Sequence, residues 1–149
     1  MLLSEIRNLK KNNYTQNVRE RIIATNDTLR NIISQEIKKY GTNADLNHID
    51  VNNVTDMHQL FSFVKFNGDI SKWDVSNVTD MSLMFYVSKF NGDISNWDVS
   101  NVTKITGMFE HSNFNGDISK WLPMLQKNNV NITSLYDSFT NDELSDIEI

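Results

Sequence analysis

The chain has 149 residues, a formal net charge of −5 at pH 7 and no cysteine. This length suits one domain with a single core. The acidic balance argues against a general nucleic-acid binder, because a basic surface supplies most non-specific affinity for phosphates. The lack of cysteine excludes disulfides, thiolate catalysis and thiolate metal sites. No apolar run approaches the roughly 18 residues of a membrane-spanning helix.

The first residues do not read as a secretion signal. Glu5 and Arg7 interrupt any apolar core, and no small-residue cleavage site follows them. We therefore predict a cytoplasmic protein with neither a signal peptide nor a membrane anchor.

The N-terminal part of the chain predicts a helical cap. Between residues 27 and 40 apolar side chains recur every three or four positions, which is typical of an amphipathic helix. Asn26 or Asp27 is expected to cap its start, and Gly41 to follow its end. A short strand is predicted at 21–24, and a further short helix near the N-terminus.

A 24-residue repeat organises most of the remaining chain. Lys65–Met81 returns as Lys89–Ile105 and, shortened, as Asn113–Trp121, before an irregular insertion at Pro123–Val130. The period is too short for a helix-pair repeat, which needs about 33 residues, and lies in the 20–29 range of leucine-rich repeats. Apolar residues in each unit also follow the L-x-x-L-x-L spacing of such repeats.

These residues resemble a known family. The string W-D-V-S-N-V-T-D-M-S-x-M-F, with F-N-G-D-I-S, is similar to the short bacterial surface-protein repeat grouped with BspA-like leucine-rich-repeat proteins. The resemblance implies a right-handed solenoid and a non-enzymatic binding role. Members of that family are often secreted or lipid-anchored, and they also occur in viral and other mobile genomes.

We therefore predict an α/β solenoid, a short right-handed leucine-rich-repeat-like stack of about 24-residue coils with an N-terminal helical cap. Its predicted parts are the cap at 1–45, the solenoid at 46–140 and an acidic tail at 141–149. The solenoid would hold three good coils and a degenerate closing unit. Monomer and dimer both stay open, and the C-terminal end is the expected place for pairing.

Polar rows are predicted on the concave face, because residues between the inward ones of a leucine-rich strand point there. The expected partner-binding residues are Asp50, Lys72, Asp74, Ser76, Asn96, Asp98 and Ser100. Three of them, Asp50, Asp74 and Asp98, would form a column spaced by about 4.8 Å, and like charges that close are mildly destabilising. Either this column binds something basic, or each carboxylate accepts hydrogen bonds from a neighbouring coil.

A second acidic column, Asp69, Asp93 and Asp117, follows the Asn-Gly turns. Aspartate beside a turn usually caps backbone amides, so we expect that role here. Calcium binding is the alternative, although no Asp-x-Asp-x-Asp-Gly loop supports it.

Two further columns are expected inside the molecule. A ladder of asparagines bonded to the backbone is predicted at Asn53, Asn77, Asn101 and Asn131. The tryptophans Trp73, Trp97 and Trp121 are expected in the core. A stacking platform for bases or sugars is the alternative for these rings.

No motif for catalysis or metal binding is present. The three histidines are isolated, and neither an H-E-x-x-H nor a G-x-S-x-G motif nor a phosphate-binding glycine loop occurs. We expect no enzyme activity, no metal and no cofactor.

Charge is segregated along the chain. Residues 1–45 hold eight Lys/Arg and five Asp/Glu, a net charge of +3, and residues 46–149 have a net charge of −8. An acidic surface attracts basic partners. We therefore predict a non-catalytic, intracellular protein-binding module with a basic protein partner and no direct binding to nucleic acid or membrane. It could act as an inhibitor from a phage or other mobile element against a basic, nucleic-acid-binding host effector. The alternative is a surface adhesion or structural repeat protein.

Overall fold

A small parallel sheet and a helix open the fold. The computed structural model describes residues 2–7 and 19–136 of the chain. Within this part, β1 (Ile22–Ile23) pairs in parallel with β2 (Ile49–Asp50), and α1 (Leu29–Tyr40) connects the two strands. Residues 3–7 are helical and precede both strands.

Helices return only towards the end of the described chain. A 3₁₀ helix at Ser119–Trp121 leads into α2 (Leu122–Lys127), and a second 3₁₀ helix follows at Ile132–Tyr136. The end of the predicted solenoid region and the predicted acidic tail lie outside the described residues.

The predicted α/β solenoid is wrong. Within the described residues, β1 and β2 form the only sheet, each strand has two residues, and no leucine-rich-repeat stack of strands follows. The expected strands around residues 70–76 and 94–100 are turns. Beyond the sheet, parallel pairing is limited to isolated bridges such as the one between Asp56 and Asp80.

The chain bends at these positions because an aspartate precedes each pair of apolar residues that are three positions apart, such as Ile70 and Trp73. The side chain of Asp69 accepts the amide of Ser71 at 2.9 Å, and the amide of Trp73 then donates to the carbonyl of Ile70 at 3.1 Å. The first bond makes an Asx turn and the second closes a β-turn, so the backbone cannot run extended. The same pair of bonds starts at Asp45, Asp50, Asp56, Asp69, Asp74, Asp80, Asp93, Asp98 and Asp117.

One hydrophobic cluster runs from Ala24 to Leu135 and contains columns of parallel aromatic rings. Ring centroids are 6.4 Å apart between Trp73 and Trp97 and 6.2 Å apart between Trp97 and Trp121. Two columns of phenylalanines lie beside them, formed by Phe61, Phe85 and Phe109 and by Phe66, Phe90 and Phe114. The tryptophans are buried, so the prediction that they are core residues is confirmed and the stacking platform is not formed.

Helix α1 confirms the predicted amphipathic helix, with a different start. It buries Leu29 and Ile33 and ends at Tyr40, and the following Gly41, the C-cap, has a φ of 92° and donates its amide to the Ile37 carbonyl. The N-cap residue is Thr28, and its side chain makes no capping hydrogen bond. The predicted caps Asn26 and Asp27 are therefore wrong.

Helix α2 occupies the segment expected to be irregular. Pro123 lies in its first turn, where a missing amide costs no helical hydrogen bond. Leu125 is buried in the common core. A helix this short is stabilised by packing and not by propensity, so the sequence pattern alone did not predict it.

Candidate functional site

The turns fix the predicted acidic residues at the surface. The side chain of Asp74 accepts the Ser76 amide at 3.0 Å, and that of Asp98 accepts the Ser100 amide at 2.9 Å. Both carboxylates remain exposed to solvent. The two serines therefore hold the carboxylates in position through their backbone amides.

Asp50 is bonded differently from the other two members of its column. Its Oδ1 accepts the amide of Asn52 at 2.9 Å, and its Oδ2 forms an ion pair with Arg21. The side chain of Asp50 is 14% exposed. Because Arg21 compensates this charge locally, the like-charge repulsion expected in the column is relieved at its N-terminal end.

A cleft of about 480 Å³ lies where β2 meets the following turns. Three predicted site residues line it, namely Asp50, Lys72 and Asp74. Asn96, Asp98, Ser76 and Ser100 do not line it. The cleft wall also contains Arg19 and Arg21, so its charge is mixed and not uniformly acidic.

Sequence reasoning did not assign Arg19 or Arg21 to this site. The Arg19 guanidinium carbon lies 3.6 Å from the centre of the Tyr40 ring, and its Nη1 donates to the Asp45 carbonyl. The signal available in the sequence was the net positive charge of residues 1–45. That charge does not reveal which acidic residue each arginine meets.

Lys72 and Asn96 each have a neighbour one repeat away. The amide of Lys72 donates to Asn47 Oδ1 at 2.8 Å, and Asn96 Oδ1 accepts a hydrogen bond from Lys120 Nζ at 2.9 Å. Both Lys72 and Asn96 are exposed. Lys72 thus adds a cation beside Asp74 on the cleft wall.

The second acidic column caps turns, as predicted. The Ser71 hydroxyl donates to Asp69 at 2.6 Å, and the Ser95 hydroxyl donates to Asp93 at 2.6 Å. These bonds, with those from the serine amides, lower the pKa of both aspartates. In residues 2–7 and 19–136 no group of three or more His, Cys, Asp or Glu is placed to hold a metal ion.

Two more aspartates are held in the charged form by the same kind of contact. The Ser100 hydroxyl and amide lower the pKa of Asp98, and the Ser119 amide and hydroxyl lower the pKa of Asp117. Hydrogen bonds to a carboxylate favour its ionised form. These aspartates thus remain negatively charged at neutral pH.

The predicted asparagine ladder is present at two of its positions. Asn77 Nδ2 donates to the Asn52 carbonyl at 2.8 Å, and Asn101 Nδ2 donates to the Ser76 carbonyl at 2.6 Å. At the next position Asn128, and not Asn131, donates to the Ser100 carbonyl. Asn131 instead accepts the Thr133 amide in a turn of its own.

Residues 28–146 match the family model described as "Mycoplasma protein of unknown function, DUF285". The chain belongs to the DUF285 family. The match fits the expected BspA-like repeat only loosely. No curated protein and no solved structure matches this DUF285 chain.

Among the described residues of this DUF285 protein, no helix is both long enough and apolar enough to span a membrane.

Proposed function

We propose that this DUF285 protein is a non-catalytic protein-binding module that binds a basic partner through its acidic face. The acidic face consists of Asp50, Asp69, Asp74, Asp93, Asp98 and Asp117. The exposure of five of these carboxylates, which turns already fix, carries the proposal, whereas Asp50 is mostly buried and pairs with Arg21. Fixed side chains lose little conformational entropy on binding, so a pre-organised carboxylate favours association.

The charge of the molecule supports the same partner. Residues 46–149 have a net charge of −8. The negative charge of Asp69, in the adjacent repeat, repels that of Asp93. Clustered like charges raise the local potential and speed the association of an oppositely charged protein at low salt. Lys72 and Ser76 supply polar contacts at the side of Asp74.

More specifically, we propose that the protein acts as a small cytoplasmic inhibitor encoded by a mobile element. Its target would be a basic host effector that binds nucleic acid, and the acidic face would take the place of the phosphates. Acidity and small size support this version. Direct binding to nucleic acid or membrane is not part of the proposal.

A pull-down from native host lysate tests the proposal, with tagged protein at low and at high salt and mass spectrometry as the readout. The test variant carries Asp50→Asn, Asp74→Asn and Asp98→Asn. Asparagine keeps the side-chain oxygen that accepts the turn amide, so the fold is retained while three charges are removed. We expect a basic partner that is captured by the original protein and lost at high salt and from the variant.

The matched control removes the same number of charges elsewhere, with Asp27→Asn, Asp56→Asn and Asp80→Asn. This control should keep the partner. If both triple variants lose the partner equally, binding responds to net charge alone, and this result would contradict binding through the acidic face. Capture of only neutral or acidic proteins would contradict it as well.

The second candidate function is a surface adhesion or structural repeat protein. The repeat motif favours it, because the motif resembles the BspA-like surface-protein repeat and the chain belongs to a Mycoplasma family. Binding of the tagged protein to intact cells or extracellular matrix, without any partner from lysate, would select this function over the first.

A further inference from the structure

An aromatic ridge lies on the surface at residues that are not part of the acidic face. We define it as Phe63, Tyr86, Val87 and His111. The Phe63 and Tyr86 rings meet edge to face with centroids 5.3 Å apart, and the Tyr86 ring lies 6.0 Å from the His111 ring. Phe63 is 70% exposed and Val87 is 39% exposed, so the ridge presents large apolar groups to solvent.

The backbone holds the ridge in an unfavourable conformation. Phe63, Val87 and His111 have φ values of 60°, 49° and 52°, in the left-handed region. Bulky and β-branched residues rarely adopt this region, and each such residue costs on the order of 1–2 kcal/mol. Polar Asn or Gly would relieve the cost at an exposed site. The same conformation recurs at Gln59 and Leu83, so the strain belongs to the repeat, and it is the exposure of these apolar groups that marks a candidate interaction surface.

Two lysines follow ridge residues closely in the sequence. Lys65 and Lys89 follow Phe63 and Val87 by two positions each, and both are exposed. The Phe63 amide donates to the Tyr86 carbonyl at 3.0 Å, so the segments that carry the two lysines run side by side. Neither lysine forms an ion pair within residues 2–7 and 19–136.

We propose that the aromatic ridge and its two lysines bind an acidic peptide segment that carries aromatic side chains. The aromatic rings of the peptide would pack against Phe63 and Tyr86, and its carboxylates would pair with Lys65 and Lys89. Aromatic pairs contribute beyond their buried area, and exposed cations set the sign of the partner. This surface shares no residue with the acidic face, and its partner has the opposite charge to the partner proposed there.

A peptide is favoured over a nucleic acid, which also combines negative charge with flat rings. Nucleic-acid affinity depends on neutralising many phosphates with basic side chains. The ridge offers two lysines, whereas residues 46–149 have a net charge of −8. Two lysines can pair with a few carboxylates, but they cannot neutralise the phosphates of an extended nucleic-acid strand.

Fluorescence anisotropy with labelled polymers tests the proposal. The probe is a random copolymer of glutamate and tyrosine in which glutamate predominates. Polyglutamate lacks the rings, and single-stranded oligothymidylate represents nucleic acid. We expect the full-length protein to bind the copolymer at least tenfold more tightly than either comparison polymer. Preference for the oligonucleotide, equal binding of polyglutamate, or no binding of the copolymer would overturn the proposal.

Two variants locate the binding on the ridge. Phe63→Asn removes the ring and keeps a residue that accepts the left-handed conformation. Lys65→Glu with Lys89→Glu reverses the charges of the two lysines. Each should weaken copolymer binding at least tenfold without changing the melting temperature by more than a few degrees.

The charge control is Lys104→Glu with Lys127→Glu, which changes the net charge equally at exposed sites outside the ridge. It should change the affinity for the copolymer by less than about threefold. A control that weakens binding as much as the lysine pair of the ridge would overturn the proposal.

Discussion

Asn26 accepts the backbone amide of Thr55 through its side-chain Oδ1 at 2.9 Å. One repeat later the equivalent amide, that of Thr79, donates to the carbonyl of Thr55 at 2.8 Å. The Asn26 side chain therefore replaces a backbone carbonyl at the N-terminal edge of the repeats. Arg30 plays the complementary role, since its guanidinium donates to two carbonyls of that edge, both at 3.1 Å.

Asn26→Ala should lower the free energy of unfolding by about 1 kcal/mol, because the Thr55 amide then exchanges a protein acceptor for water. Asn26→Asp keeps an acceptor and should cost less. Asn31→Ala, on an exposed position of α1, is the control and should change stability by less than about 0.5 kcal/mol. Urea unfolding followed by circular dichroism measures all three. An equal effect of the Asn26 and Asn31 substitutions would contradict the capping role.

Trp97 lies between Trp73 and Trp121, and its indole nitrogen donates to the Ile70 carbonyl at 3.1 Å. Trp97→Ala should destabilise the protein by about 3–5 kcal/mol through the lost packing and the cavity. Trp97→Phe keeps a ring but leaves the Ile70 carbonyl without its donor, which should cost about 1–3 kcal/mol. Thermal and urea unfolding of the two variants would rank them. A Phe variant as unstable as the Ala variant would show that the ring column does not carry the stability.

The same columns show how much of the fold the sequence predicts. A strict period of 24 residues places equivalent side chains together, so the burial of Trp97 and Phe85 and the position of α1 followed from spacing alone. The strands expected around residues 70–76 and 94–100 did not follow from it, because turns occupy these positions. Asp69 and Asp74 each start a turn, so the L-x-x-L-x-L spacing in this chain marks successive turns and not an extended strand.

The candidate site was predictable only in part, for a related reason. Local spacing identified Asp74 and Asp98 as surface carboxylates, and each turn places its own aspartate there. The partners of Asp50 depend on contacts between distant segments, such as the ion pair with Arg21. Periodicity carries no information on such contacts when one partner lies outside the repeat.

Val87 offers a stabilising substitution. It has a φ of 49° and is exposed, so the β-branched side chain adds strain without deep packing. Val87→Asn should raise the free energy of unfolding by about 1 kcal/mol, since asparagine accepts the left-handed region. Val87→Thr keeps the branched shape while it adds polarity, and it should give no such gain. If both substitutions stabilise the protein equally, exposure of an apolar group and not backbone strain is the cause.

Stability should fall in acid because of the turn aspartates. Serine hydrogen bonds lower the pKa of Asp93 and Asp98 in the folded state below their ordinary value. A lowered folded-state pKa contributes stability above the unfolded pKa of about 3.9, and this contribution is lost as the pH falls through the folded pKa. We expect little change in the turn contribution between pH 7 and about pH 5 and a decline below about pH 4.

Asp93→Asn with Asp98→Asn tests the source of this acid sensitivity. Asparagine keeps the turn acceptor but carries no charge, so the double variant lacks the contribution of the ionised carboxylates at every pH. It should be less stable than the original protein at pH 7, and its free energy of unfolding should fall less between about pH 5 and about pH 3. Urea unfolding followed by circular dichroism at each pH measures this difference. Asp27→Asn, outside these turns, should leave the pH dependence unchanged. An unchanged pH dependence in the double variant would assign the acid sensitivity to other carboxylates.

Gly68 marks a close approach between the cap and the first full repeat. A Cβ added there would collide with the carbonyl oxygen of Ala44, and that oxygen also accepts the amide of Asp69 at 3.1 Å. The carbonyl cannot withdraw without weakening this bond, so Gly68→Ala should cost about 3 kcal/mol or more. At Gly116 the nearest atoms belong to the Phe114 ring, at 2.7 Å, and a ring at the edge of its column shifts more easily than backbone. Gly116→Ala should therefore destabilise clearly less in urea unfolding. Because both glycines follow an asparagine in the same turn, equal losses would trace the effect to the turn itself and not to the contact with Ala44.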